Sequence, residues 1–389
     1  MTDSLTVVQS GLQNALAEGL PSVAGRRIGL ITNHTAVDRQ LRSAVDLLHE
    51  RASIDLVALF GPEHGVRGDA QAGVMVRAAA DSRTGLPIYS LYDGTRHPTP
   101  KMLSGLDAFV FDIQDIGVRY ATYISTMVYA QEAASEAGLP FLVLDRPNPI
   151  NGNQIEGNVL EPKFVSFVGV HPIPIRHGMT AGELARLVAN ERGWPEPLIV
   201  PMRGWSRAQW FDQSGLTWIQ PSPNLPTLDS VSLYPGTCLI EGTNLSEGRG
   251  TTRPFELIGA PWLDPFRLAT KLEKRTLPGC AFRPAFFTPT FSKHMGNVCG
   301  GVQVHITDRD ALRPAELGVH LLEVVRTLDP GAFSWRQGKG GRYFVDLLAG
   351  SDQPRRLLDR GTGAHEIVAG WTQESSLFAE RRRPFLLYA

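Results

Sequence analysis

Long apolar runs, an excess of either charge and paired cysteines are all missing from this 389-residue chain, and each absence excludes something. No run of about 20 apolar residues is available to span a bilayer. The formal net charge is -1, and no basic cluster or basic amphipathic helix breaks the balance, so neither nucleic acid nor a membrane is expected as a partner. The three cysteines, Cys238, Cys280 and Cys299, are odd in number and lack CxxC spacing, which excludes a disulfide framework and a zinc signature. There is no GxGxxG, no GxxxxGK[ST], no HExxH or HxH and no GxSxG. No organic cofactor is implied. The opening residues, Met1 to Leu5, have no basic n-region and no apolar stretch behind them, which predicts a cytoplasmic protein as written, exported if a leader has been cropped. The sequence carries no signal for an oligomeric state.

What is present is the composition of an ordinary globular protein, 42% hydrophobic and 20% charged, long enough for two domains. Over the first 200 residues strand-like and helix-like stretches alternate. A helix is expected over 6–19, where Val7, Val8, Leu12, Ala15 and Leu16 recur at helical spacing, and strands at 27–32, 54–60, 86–91, 107–113, 141–144, 173–175 and 198–202. Helices are expected at 38–50, up to about 137 with Gly138 as stop, and after Thr180, whose partner Glu183 has capping-box spacing. This predicts an α/β fold with a Rossmann-like, doubly wound, mostly parallel sheet.

The polar clusters fall where such a sheet places ligands, after the carboxyl ends of strands. They are Asn33-His34, Glu63-His64, Asp93, Asp115 with Arg119, Asp145-Arg146 with Asn148, and Arg176-His177. The densest is Gly61-Pro62-Glu63-His64-Gly65, where a buried strand runs into a Gly-Pro turn followed at once by a carboxylate and an imidazole. Asp93 before Gly94 reads as a turn former.

Three prolines in 219–227 suggest an extended rim, and the domain boundary is placed at 225/226, giving a catalytic domain over 1–225 and a smaller α/β domain over 226–389. The stretch 234–252, dense in Gly, Thr and Ser with Glu241, Asn244, Glu247 and Arg249, reads as a loop able to hydrogen-bond a polyhydroxylated ligand. Strands are expected at 282–291 and 302–307 and an amphipathic helix at 312–327, with Trp335, Tyr343 and Phe344 in the core.

Three chemistries fit these residues. Glycoside hydrolysis needs a carboxylic acid at the leaving oxygen and usually a second carboxylate. Glu63 on its semi-enclosed loop is the best acid, and Asp115, Glu241 and Glu247 compete for the second role. A metal-dependent hydrolase would draw on His34, His64, Asp115, His171, His177 or His294, assembled wholly by the fold. A sugar- or peptidoglycan-binding receptor would use the same crevice without turnover. A Ser or Cys nucleophile has no motif behind it.

The segments ITNHTAVD (31–38), LFGPEHGVRGDAQAG (59–73), SLYDGTRHPTPKML (90–103), FDIQDIGVRYATYISTM (111–127), LDRPNPINGNQIEG (144–157), IPIRHGMTAGELA (173–185), the long run 221–262 and HMGNVCGGVQVHITD (294–308) resemble, in order, the exo-β-N-acetylmuramidase family, once known only as a domain of unknown function. The resemblance implies a Rossmann-like domain, a smaller C-terminal domain and a cleft between them that removes N-acetylmuramic acid from the non-reducing ends of peptidoglycan fragments. It maps the family's catalytic glutamate onto Glu63, places His64, Asp115, Arg119 and Tyr120 on one side of the cleft, and Asn224, Glu241, Asn244 and Arg249 on the other. The lactyl carboxylate of that sugar calls for a guanidinium, because Arg pairs bidentately with carboxylates. Arg119, Arg146, Arg176 and Arg249 are the motif arginines considered, with Arg146 equally able to pair with neighbouring Asp145.

Overall fold

A computed structural model of the chain describes residues 7–20, 23–68 and 79–389. The N-terminal start, the first residue of the expected opening helix and the 69–73 end of the segment around Glu63 lie outside the described residues. Twelve strands are defined among the described residues: β1 (Arg27–Thr32), β2 (Asp55–Gly61), β3 (Ala79–Ala80), β4 (Pro87–Ser90), β5 (Ala108–Asp112), β6 (Phe141–Leu144), β7 (Glu156–Val159), β8 (Pro174–Arg176), β9 (Leu198–Val200), β10 (Leu257–Ala260), β11 (Cys280–Phe287) and β12 (Cys299–Ile306).

Seven of them form one sheet in the order β3-β4-β2-β1-β5-β6-β9, parallel except where β3 pairs antiparallel along the β4 edge. The six parallel strands have the Rossmann order, whose reversal point lies between β1 and β5. Burial on both faces explains why these strands read as continuous apolar runs. Ile28, Leu30, Val110 and Leu142 pack on one side with the helices Gly11–Glu18 and Ala44–His49. Ile31, Phe60, Phe109, Phe111 and Val143 pack on the other with Thr122–Glu136 and Ala181–Arg192. Phe60 and Phe109 meet edge-to-face at 4.6 Å, and each ring so buried contributes about 1.5–3 kcal/mol.

The expected strand at 173–175 is present as β8, but it does not join the main sheet. It pairs antiparallel with β7 in a separate two-stranded ribbon, because a three-residue run carries no information about which sheet it enters. Arg176 and His177 therefore do not follow a strand of the main sheet. The stretch read as a loop from 234 also differs: Leu228–Thr237 is a helix and Cys238–Gly242 a 3-10 turn. Pro235 and Gly236 disguised it. Gly236 is needed for contact, since a Cβ there would sit 1.8 Å from the Pro314 carbonyl oxygen of the crossing helix Pro314–Leu328.

That helix packs with β10, β12 and β11, an antiparallel three-stranded sheet, to form the second α/β unit. Trp335, Tyr343 and Phe344 lie half-buried at its edge rather than in its core. Its hydrophobic core is continuous with Ile116, Val118, Tyr120 and Ile175 of the first. The C-terminal residues return to the first unit, where the Tyr388 hydroxyl donates to Asp145 at 2.6 Å and the Leu387 N–H to Glu183 at 2.8 Å. Among the described residues no helix is long and apolar enough to cross a membrane.

Candidate active site

β2 drives its buried residues Leu59 and Phe60 into Gly61-Pro62, and proline, lacking an N–H, ends the ladder. A tight turn follows, in which the Gly65 N–H donates to the Pro62 carbonyl at 3.0 Å. His64 sits inside this turn at φ 71, a conformation that costs a residue with a Cβ about 1–2 kcal/mol. It is buried, and Glu63 beside it is half-buried. One Glu63 oxygen accepts from the Thr122 hydroxyl at 2.9 Å, at the first residue of the long helix after β5. Tyr92, following β4, turns its phenol to Glu63; burial and the Glu63 carboxylate together push that phenol up to about 12. Burial, and then Glu63, raises the Tyr123 phenol as well, and Tyr123 donates to the Pro221 carbonyl.

The cleft in front of Glu63 and His64 holds about 510 Å³ of empty space, part of it open to solvent. Its far wall comes from the proline-rich rim (Pro221, Ser222, Asn224, Leu225) and from Tyr234, Arg249 and Phe255. Arg249 pairs with Glu241 at 2.8 Å and with Glu247 at 3.6 Å, and Lys293 holds the other Glu247 oxygen at 2.8 Å. Burial opposes the Arg249 charge, yet Glu241 and Glu247 outweigh it and raise its pKa. Burial raises Glu241, against the pull of Arg249.

Of the residues expected at the site, Glu63, His64, Tyr120, Asn224 and Arg249 line this cleft, with Glu241 one contact behind Arg249. Tyr120 also ties the two units together: its hydroxyl donates to the carbonyls of Tyr234 and Pro235, in the last turn of the helix Leu228–Thr237. His34 lies at the edge, bonded to the Gln220 carbonyl at 2.8 Å, its pKa lowered by burial. Asn33 is buried and caps its own turn through Thr35.

The others face inward, away from the lining of the cleft. Arg119 donates to the carbonyls of Asn158, Ile173, Leu348 and Ala349, tying the two units together. Arg176 pairs with Glu156 at 2.7 Å. The Arg146 guanidinium is bidentate to Asp112, at 2.5 and 3.1 Å, and does not take Asp145. Asp145 is occupied by Thr180, the Gly182 N–H and Tyr388. Asn148 spans Ile150 and Met179, and Asn244 spans Ala332 and Ser334. Asp115 is buried behind the cleft wall with Oδ2 on the Gly117 N–H at 2.7 Å; burial pushes its carboxyl up to about 7. His177 is fully buried 3.9 Å away, pushed down to about 3 by burial and then by nearby arginines.

Thr122, Tyr92 and Tyr123 were not singled out from sequence. Tyr92 follows the end of β4 as Glu63 follows the end of β2, but the adjacent Asp93-Gly94 pair marks the stretch as a turn. Among the described residues, no group of three or more His, Cys, Asp or Glu side chains is placed to hold a metal ion.

Fold and site together define a class: a two-domain α/β protein of Rossmann strand order, with a strand-end carboxylate in an interdomain cleft. Residues 28–229 match the family described as "Exo-beta-N-acetylmuramidase NamZ, N-terminal" and residues 232–388 the corresponding C-terminal family. The chain is 49% identical over 382 residues to the "Peptidoglycan beta-N-acetylmuramidase NamZ" of Bacillus subtilis (strain 168), covering 98% of this chain and 91% of that protein. Two crystal structures of DUF1343 family proteins from Bacteroides fragilis NCTC 9343 are similar, with TM-scores of 0.91 and 0.80 at 39% and 32% identity. Both matches cover 98% of this chain and 99% of the other. The chain belongs to the NamZ exo-β-N-acetylmuramidase family.

Proposed function

We propose that this protein is an exo-acting glycoside hydrolase that releases N-acetylmuramic acid from the non-reducing end of peptidoglycan fragments. The observation that carries the reading is Glu63, a carboxylate at the end of a central strand, oriented by Thr122 and facing the interdomain cleft. The activity named for the Bacillus subtilis relative supports it.

Glu63 acts as general acid, delivering its proton to the glycosidic oxygen as the bond to the anomeric carbon lengthens. His64 holds the loop that presents it. Glu241 is the favoured second carboxylate, because it stands beside a cleft-lining arginine, whereas Asp115 is sealed behind the wall. Arg249, whose charge is already matched by two carboxylates, donates to sugar hydroxyl and acetamido oxygens. Asn224 does the same through a side-chain nitrogen that has no partner among the described residues. The cleft lies between a first domain at 1–225 and a second at 226–389.

The test is release of aglycone from a chromogenic β-N-acetylmuramide and the matching β-N-acetylglucosaminide, with and without EDTA, by the wild type and Glu63→Gln. We expect turnover of the muramide, indifference to EDTA and a loss of about 10²–10⁴-fold with the substitution. An unaffected Glu63→Gln variant would remove Glu63 from the mechanism, and loss of activity in EDTA would replace the acid with a metal.

A further inference from the structure

Two cations act on the Tyr92 phenol, Arg249 from the cleft wall and Arg96 from beside its ring. They differ in how their charge is met. Arg249 is held by two carboxylates. Arg96 forms no ion pair among the described residues. Its guanidinium carbon lies 4.0 Å from the centre of the Phe167 ring and 5.7 Å from that of Tyr92. Tyr92 and Phe167 are 6.0 Å apart, and Tyr129 stacks behind Phe167 at the same distance. The nearby acid on the helix, Glu132, is turned to His97 at 3.6 Å. Arg96 itself is exposed.

Aromatic faces orient a guanidinium and attract its charge without using its N–H groups. The N–H fork is thereby left exposed with its hydrogen bonds unspent, beside the Tyr92 phenol that the Glu63 carboxylate raises. Such a group is preorganised for a planar anion, and bidentate pairing with a carboxylate is the strongest use of it.

We propose that Arg96, set on Phe167 and Tyr92, is the receptor for a carboxylate of the substrate. This rests on the hydrolase reading above and gives that site its selectivity. The carboxylate is the lactyl group of the muramyl sugar or, where a stem peptide amidates that group, a carboxylate of the peptide. A glucosaminyl unit has neither.

The experiment compares Arg96→Ala and Arg96→Lys with the wild type on four glycosides: the muramide, its lactyl amide, the muramide bearing a dipeptide with a free carboxylate, and the glucosaminide. Arg96→Ala should lower kcat/KM on the muramide about 10- to 100-fold, mostly through KM, the size expected for a hydrogen bond to a charged group. The lactyl amide and the glucosaminide should change less than about twofold. Arg96→Lys should recover part of the loss, and thermal melts should match the wild type. Loss on the muramide assigns the lactyl carboxylate, and loss on the dipeptide substrate alone assigns the peptide. Equal loss on the glucosaminide, or no loss on any acid substrate, overturns the proposal. Calorimetric binding of free N-acetylmuramic acid and N-acetylglucosamine separates the two readings. If the wild type cleaves nothing, the hydrolase reading fails alone, while an Arg96-dependent preference for the acid sugar still upholds the receptor.

Discussion

Replacing Asp115 by Asn tests whether that carboxyl is part of the chemistry or part of the core. Asp115 is fully buried, with Oδ2 on the Gly117 N–H and Oδ1 without a partner among the described residues. Burial raises its pKa from 3.8 to about 7. A carboxyl raised on folding is more easily ionised in the unfolded chain, so the unfolded state gains on the folded one as pH rises. The penalty is absent below the unfolded value, grows between about pH 4 and 7, and is constant above the folded value. Three pKa steps amount to about 4 kcal/mol in full, and the part falling between pH 5 and 8 is about 2–3 kcal/mol. Asn cannot ionise, but its amide hydrogens would face the spot where Oδ1 is unpaired, a cost of about 1–3 kcal/mol at every pH. Urea denaturation at pH 5 and 8 on both proteins isolates the difference, since all other titrations are shared. The stability of Asp115→Asn relative to the wild type should improve by about 2–3 kcal/mol on going from pH 5 to pH 8. Hydrolysis of the muramide at pH 7 should persist. Parallel pH profiles would refute the buried, proton-holding carboxyl, and loss of hydrolysis in a folded variant would return Asp115 to the reaction.

The Arg146–Asp112 pair is almost wholly withdrawn from water, so Arg146→Ala strands a buried charge and should cost about 3–5 kcal/mol in urea denaturation; a cost below about 1 kcal/mol would show the pair is dispensable. Gly68 has φ 79, and a Cβ there would sit 2.4 Å from the His34 Nδ1. Gly68→Ala should therefore cost about 1–3 kcal/mol and lower kcat/KM by pushing His34 off the Gln220 rim; wild-type kinetics would show that His34 and the rim do not shape the cleft.

Much of the architecture was legible in the chain. Strands buried on both faces read as short apolar runs, and their alternation with helices leads to a parallel sheet. The Gly-Pro break after β2 marks the place where a strand must stop and a loop must carry Glu63. Thr180 and Glu183 form the capping box their spacing predicts. These features are local: a proline's missing N–H or a helix cap depends on residues a few positions away.

What the chain could not disclose was the destination of its polar side chains. Arg119, Arg146, Arg176 and Arg249 look alike in sequence, each beside a strand end or in a polar loop, yet only Arg249 reaches the cleft. A buried guanidinium needs several acceptors, and those of Arg119 come from residues 158, 173, 348 and 349, which only the folded chain brings together. The helix over 228–237 was hidden for the same reason, since Gly236 answers to a carbonyl of Pro314 some 80 positions away rather than to its neighbours. Sequence determined the six parallel strands of the main sheet, their turns and the loop that carries Glu63, because short-range sterics and burial period set them. Tertiary structure alone decided which charges line the cleft and which hold the two domains together, because desolvation makes that choice among partners distant in the chain.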